Sequence, residues 1–330
     1  MNKIVIFNPR PDEMLFFTKF EKEFELDIKY VNKELNKDTA CEAQGFEAVS
    51  VQGSNIVDRE ALKALSEIGV KFLALRSIGY NNVDSEAAKE YGIRFSNVNY
   101  STNSVADFTV MLMLMCSRKM RPLMIRNDAQ DYSLVGNQGR EMHNLTVGII
   151  GTGKIGATVA QDLTGFGCKI LGYDVYENDN LRDILEYVSF DEIIEKSDII
   201  TLHAPLFESN YHMINKETIA KMKHGVCIIN CGRGPLIDTD ALIEGIQSGK
   251  ISAAGLDTIE EELDVFHADH RLDIIKNNKL AILRSFPNVI VTPHCSFYTD
   301  QAVSDMVENS LRSNMSFLTT GESRWEIKIK

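Results

Sequence analysis

Between Leu145 and His294 the chain alternates short apolar runs with helix-like stretches, and each run stops abruptly at a residue able to bind or react. The runs VGII, ILGY, IITL, CIIN, AAGL and VIVT end at Gly151, Asp174, His203-Ala204-Pro205, Cys231-Gly232-Arg233, Asp257 and Pro293-His294. Short apolar runs bounded by breakers predict strands buried on both faces, as in a parallel sheet with helices above and below it. In open α/β sheets ligands lie beyond the carboxyl ends of the strands, so these endings predict one crowded crevice. The first hundred residues carry a second series: IVIF from Ile4, DIKYV from Asp27, AVSV from Ala48, FLAL from Phe72 and RFSNV from Arg94. With helical stretches at Arg59 to Ile68 and Ser85 to Tyr91 between them, they predict a second, smaller α/β domain.

The join between the two series predicts a helix. Ser104, with Asp107 three residues on, reads as a capping-box-like start, the helix runs to about Met120, and Pro122 follows its end. Its segment VADFTVMLMLMC is apolar nearly all round, which predicts burial between domains or between subunits and points to a homodimer through residues 104–120.

Composition narrows the functional classes. A length of 330 residues predicts two domains, and 44% apolar with 25% charged residues is ordinary for a soluble globular protein. A formal net charge of -12 offers no basic face to phosphate backbones or anionic lipid, so neither a nucleic-acid nor a membrane partner is expected. The apolar part of MNKIVIFNPR suits a first strand better than a signal peptide, and VMLMLMC from Val110 to Cys116 is less than half a membrane span. Six cysteines (41, 116, 168, 227, 231 and 295) without paired spacing fit a reducing cytoplasm. Cys295 stands apart because it follows a candidate catalytic histidine.

Several of the strand endings carry recognisable chemistry. LTVGII leads into GTGKIG, which places Gly151, Gly153 and Gly156 in the G-x-G-x-x-G spacing between a strand and a helix. The first glycine permits the tight turn, the second admits a pyrophosphate to the backbone, and the third lets helix pack on strand. Asp174 ends the next strand, where a carboxylate accepts bonds from ribose hydroxyls and repels a 2′-phosphate, so the expected cofactor is NAD. CGRGPLID puts Arg233 on a glycine-flanked turn, suited either to a substrate carboxylate or to an interdomain salt bridge. His294 follows VIVTP, and an acidic loop, Glu260-Glu261-Glu262, follows Asp257. A histidine held by a carboxylate is a suitable proton donor for carbonyl reduction, because the anion favours the imidazolium. His267 and His270 in HADH have the look of a metal pair but lack further ligands, and read as surface residues. In RSIGYNNVD, the backbone amides around Ile78 and Gly79 could receive a carboxylate.

These segments, with YSTNSVADF, SDIITLHAPL, NCGRGPLIDTDAL, GLDTIEEE and NVIVTPHCSFYTDQAV, resemble the D-isomer-specific 2-hydroxyacid dehydrogenases over essentially the whole chain. The resemblance is strongest to bacterial D-lactate dehydrogenases, the vancomycin-resistance type included. It implies a Rossmann NAD-binding domain at 101–297 and a smaller flavodoxin-like substrate domain at 1–100 and 298–330, both doubly wound parallel sheets. It also implies a catalytic set of Arg233, Glu262 and His294, and so singles out one of the three acidic neighbours. Lys154 and Ile155 would lie along the pyrophosphate, Ala204, Pro205 and Asn210 near the adenosine, and Cys231, Gly232 and Asp257 at the nicotinamide end. Ile78, Gly79 and Tyr100 would contact the substrate, and Phe297 would line its side-chain pocket. The implied reaction is reversible NADH-dependent reduction of a 2-oxo acid, pyruvate to D-lactate first. The alternatives are bulkier acids such as 2-hydroxyisocaproate, phenyllactate or 2-hydroxyglutarate, and, outside enzymes, an NAD-sensing corepressor of the C-terminal-binding-protein type. Such corepressors usually carry extra recruitment tails, whereas this chain stops soon after its last helical stretch. Asn99 stands where the family often has proline, and Tyr80 and Cys295 where smaller or less reactive residues are common.

Overall fold

A computed structural model describes residues 2–263 and 265–328. The strands in chain order are β1 (Lys3–Phe7), β2 (Asp27–Val31), β3 (Ala48–Gln52), β4 (Phe72–Arg76), β5 (Arg94–Ser96), β6 (Thr146–Ile150), β7 (Lys169–Tyr173), β8 (Glu186–Tyr187), β9 (Ile199–Leu202), β10 (Val226–Asn230), β11 (Ile251–Leu256) and β12 (Val289–Val291). The helices are α1 (Met14–Glu23), α2 (Arg59–Glu67), α3 (Ser85–Glu90), α4 (Asn103–Ser117), α5 (Met120–Asp128), α6 (Lys154–Leu163), α7 (Phe190–Lys196), α8 (Lys216–Lys221), α9 (Thr239–Gln247), α10 (Asn278–Ser285) and α11 (Asp300–Thr320). The chain divides into two compact units, Met1–Ser101 with Tyr298–Lys330, and Thr102–Phe297.

The first unit is a five-stranded parallel sheet in the order β2-β1-β3-β4-β5, the flavodoxin-like winding. Its central strands β3 and β4 are buried along their whole length, the polar Ser50, Gln52 and Arg76 included. α2 packs Ala61, Leu62 and Leu65 inward, with Asp58 capping its first turn through the Ala61 amide. Arg76, which opens the RSIGYNNVD segment, is buried rather than presented at a site. Its guanidinium bonds Glu13 at 2.9 Å, Ser50 Oγ at 3.1 Å and the Phe7 carbonyl at 3.1 Å, so the buried charge is both paired and solvated by protein.

The second unit is a seven-stranded parallel sheet in the order β12-β11-β10-β9-β6-β7-β8. The winding reverses between β6 and β9, which pair directly, so this unit also has a topological switch point. All six apolar runs form strands; β8, two residues at the edge, has too little apolar sequence to announce itself. Leu202, Ile228, Ala254 and Leu256 share one core with Leu242 and Ile246 of α9 and Leu283 of α10. Each such aliphatic side chain contributes roughly 1.5–3 kcal/mol on full burial.

The join differs from the expectation. α4 begins at Asn103, with Thr102 at its cap, so Ser104 and Asp107 lie inside the helix and form no capping box at its start. Just before the helix, the Ser101 N–H is held by Asp305 at 2.8 Å. The helix ends at Ser117, and Pro122 lies in the first turn of α5, where its missing N–H costs nothing. α4 is buried along Val105, Ala106, Thr109, Leu112, Met113 and Cys116, while Met111 on its other side is 39% exposed.

Candidate active site

In the second unit the carboxyl ends of the strands carry the predicted residues. Gly151 follows β6 with φ +91°, and a Cβ there would lie 2.6 Å from the amide nitrogen of Ala204 after β9. Gly153 has open space around it, whereas a Cβ at Gly156 would stand 2.0 Å from the Gly151 carbonyl. The three glycines therefore serve three needs: a left-handed turn, an open cradle, and close helix-to-strand contact. Lys154 and Ile155 open α6, a ten-residue helix whose first N–H groups face that cradle's end of the sheet. The Asp174 carboxylate accepts the Thr152 N–H at 2.6 Å and the Tyr176 N–H at 3.1 Å, which fixes it beside the glycine turn. An open glycine cradle, a helix N-terminus and a fixed carboxylate suit the pyrophosphate and ribose of a dinucleotide.

After β9, burial pushes the His203 pKa down to about 4, so its imidazole is neutral at physiological pH. Asn210 turns inward: its amide donates to the Pro205 carbonyl and accepts the Phe207 N–H, both at 2.7 Å, and so shapes the loop that also carries Ala204. After β10 the buried Asn230 bridges the next turn, accepting the Gly232 N–H and donating to the Arg233 carbonyl, each at 3.0 Å. Cys231 and Gly232 are buried under that turn, where desolvation raises the Cys231 pKa. Arg233 is half-buried and forms no ion pair among the described residues, so its charge is available to a ligand.

The acidic loop resolves into three different environments. Glu260 accepts from His212 at 2.7 Å and from the Thr239 N–H and hydroxyl; although burial opposes ionisation, these bonds hold it below the usual carboxylate range. Glu261 is exposed with φ +57°, and this left-handed residue reverses the chain so that its neighbours diverge. Glu262 accepts the Ile259 N–H at 2.9 Å with one oxygen and meets His294 Nδ1 at 2.6 Å with the other. His294 Nε2 has no protein partner among the described residues and is the nitrogen left for chemistry.

His294 is itself left-handed, with φ +51°, a conformation that costs a non-glycine residue roughly 1–2 kcal/mol. Its N–H bonds the Asp257 carbonyl at 2.9 Å. The buried Asp257 carboxylate accepts the Thr292 hydroxyl at 2.5 Å and the N–H groups of Cys295 and Ser296 at 2.9 Å. Asp257 thus lies beneath the turn that carries His294, with these three bonds internal to the protein. Burial and then the nearby Asp257 charge push the Cys295 thiol up to about 11, so it is protonated and unreactive at neutral pH.

The profile of the NAD-binding domain of D-isomer-specific 2-hydroxyacid dehydrogenases matches residues 110–296. An aromatic 2-oxoacid reductase of Clostridium sporogenes is 47% identical over 97% of each chain, and a D-lactate dehydrogenase of Lactiplantibacillus plantarum is 38% identical over 99% of each. The chain belongs to this family. Among solved structures, D-2-hydroxyisocaproate dehydrogenase superposes with a TM-score of 0.90 at 34% identity over 98% of this chain and 99% of that one. The NAD-complexed enzyme of Lactobacillus delbrueckii ssp. bulgaricus gives 0.88 at 32% identity over 99% and 100%. The protein is an NAD-dependent D-2-hydroxyacid dehydrogenase with the two parallel-sheet units of the family.

Not every candidate falls in one place. Ile78, Gly79 and Tyr100 belong to the first unit. The Ile78 carbonyl accepts from Asn97 and the Gly79 carbonyl from Ser77 Oγ, while neither residue's N–H donates a bond among the described residues. Tyr100 is half-buried just before the chain leaves that unit, and Tyr80 is 39% exposed with its ring 6.2 Å from that of Phe95. Phe297 is half-buried at the end of the second unit, 6.4 Å ring to ring from His267. His267 is exposed, in line with the surface reading, and its Nε2 also bonds the His294 carbonyl at 3.0 Å. His270 instead pairs with Asp273 at 3.0 Å, and no cluster of metal-ligating side chains exists among the described residues. Asn230 has no place among the sequence candidates, although Asn before Cys-Gly is an Asx-turn signal.

Proposed function

We propose that Arg233, Glu262 and His294 reduce a 2-oxo acid to the D-2-hydroxy acid, and that the preferred substrate carries a side chain bulkier than methyl, of the arylpyruvate class. The 2.6 Å contact between His294 Nδ1 and Glu262 carries the catalytic part of this reading. Bound NADH supplies the hydride that reaches the carbonyl carbon. Arg233 holds the substrate carboxylate by its planar fork. His294 gives its Nε2 proton to the carbonyl oxygen and takes it back in the oxidative direction. Glu262 keeps the Nδ1 proton in place, which orients the ring and stabilises its charged form. Phe297 lines the side-chain pocket of the substrate. In the cofactor site, Gly151, Gly153, Lys154, Ile155 and Gly156 hold the pyrophosphate and Asp174 the ribose hydroxyls, while Ala204, Pro205 and Asn210 border the adenosine. Cys231, Gly232 and Asp257 border the nicotinamide.

The Clostridium relative, named for aromatic 2-oxo acids, favours the bulkier substrate. Pyruvate is the second reading, favoured by the Lactiplantibacillus D-lactate dehydrogenase. NADH oxidation should be followed with pyruvate, 2-oxobutyrate, 2-oxoisocaproate, phenylpyruvate and 2-oxoglutarate, and the chirality of each product determined. We expect phenylpyruvate to exceed pyruvate in kcat/KM by at least about tenfold, the lower end of what one pocket group discriminates. A preference for pyruvate would replace the first reading by the second, and an L product would overturn both.

A homodimer through α4 and α5 is proposed on separate grounds. A groove of about 600 Å³ runs along Val110, Met111, Leu114, Met115, Leu123 and Phe166, and Met124 and Ile125 beyond it are more than half exposed. Contiguous apolar surface of this kind usually marks an interaction site. Sedimentation should give twice the chain mass, and Met115→Glu with Leu123→Glu should shift it to monomer. A monomeric wild-type protein would count against the interface.

A further inference from the structure

The loop that supplies Glu262 grips His294 twice. The Glu262 carbonyl accepts the N–H groups of Val265 at 3.0 Å and Phe266 at 2.8 Å, forming a tight turn that His267 follows. At one end of this turn Glu262 holds the His294 ring at Nδ1; at the other, His267 Nε2 reaches the His294 carbonyl at 3.0 Å. A carbonyl can only accept, so His267 must carry its proton on Nε2. The bond therefore exists for both the neutral and the charged imidazole. The His267 ring also lies 6.1 Å from that of His294 and meets Phe297 edge-on at 6.4 Å and 76°, so His267 stands between His294 and a second aromatic ring.

We infer that His267 is a positioning residue for His294 and, with Phe297, forms an aromatic wall that selects the side chain of the 2-oxo acid. The inference rests on the proposed reduction for the second of these roles, because Phe297 must line the side-chain pocket; the first stands on geometry alone. His294 occupies a left-handed backbone conformation, and an unheld carbonyl would let that peptide relax and carry the ring away from its aim. The wall adds ring edges that an aromatic substrate can meet and a methyl group cannot.

Two substitutions separate the roles. His267→Gln keeps an N–H donor of similar reach without the ring; His267→Phe keeps ring surface without the donor. With NADH affinity measured by fluorescence and folding by calorimetry, kcat and KM should be determined for pyruvate and phenylpyruvate. In His267→Phe we expect kcat to fall about three- to tenfold for both acids with KM and NADH affinity little changed, the effect of one lost hydrogen bond on alignment. In His267→Gln we expect kcat close to wild type, and a roughly three- to tenfold fall in the phenylpyruvate-to-pyruvate ratio of kcat/KM. Wild-type kcat in His267→Phe, or equal losses in both variants, would overturn the positioning role. An unchanged ratio in His267→Gln would overturn the wall. A wild-type preference for pyruvate would instead remove the arylpyruvate reading, and the positioning role would still be judged by kcat with pyruvate.

Discussion

His294→Gln is expected to lower kcat for 2-oxo acid reduction about 10²–10⁴-fold, the usual contribution of a placed general acid. The structure argues that the loss would be chemical rather than structural. His294 contributes little to the core, and its main chain is held by the Asp257 carbonyl, bonds that a glutamine backbone preserves. Glu262 keeps the Ile259 N–H at 2.9 Å, so its carboxylate stays satisfied on one oxygen. NADH affinity and thermal stability should therefore remain near wild type while turnover collapses. A variant whose kcat lay within a few-fold of wild type would remove His294 from the role of proton donor. A parallel loss of NADH affinity would mean that the substitution had disturbed the cofactor site.

Gly234→Ala tests how the two halves of the catalytic set are held together. A Cβ at Gly234 would lie 2.1 Å from both the carbonyl carbon and oxygen of Ile259, and 2.6 Å from the Glu260 amide nitrogen. All three are backbone atoms, so the contact can be relieved only by moving one loop away from the other by about 1 Å, on the scale of displacement that costs ~10²-fold in rate. The Ile259 N–H is the group that orients Glu262, and Glu262 in turn aligns His294. We expect kcat/KM to fall about 10²-fold, with a stability loss of about 1–3 kcal/mol from overpacking. Full activity in a folded Gly234→Ala protein would show that the Arg233 turn and the Glu262 loop do not depend on their mutual contact.

Much of the fold was legible because buried parallel strands leave so little choice of sequence. The runs ending at Gly151, Asp174, Arg233, Asp257 and His294 could be placed as strand ends without knowing their neighbours. The glycine pattern was equally plain, since Gly151 and Gly156 answer to constraints within a single strand-turn-helix segment. The start of α4 was legible to within one residue but its cap was not, because Thr102 rather than Ser104 stands at the cap, with no side-chain bond to the helix. Pro122 does follow the end of α4, and it also sits in the first turn of α5, a helix that a proline tolerates there and that the sequence reading did not separate from α4.

The chain's own sequence determined most of the strands, the dinucleotide turn and the residue types at the strand ends, because these follow from local periodicity and backbone sterics. Only the tertiary structure decided which carboxylate serves which partner. Three adjacent glutamates look alike in sequence, yet one left-handed backbone at Glu261 sends Glu260 to His212 and Glu262 to His294. It also set the exposed His267 against the His294 carbonyl, and Asp257 beneath the turn that carries His294. Such contacts join residues far apart along the chain through single hydrogen bonds, and a single bond leaves no periodic signature to read.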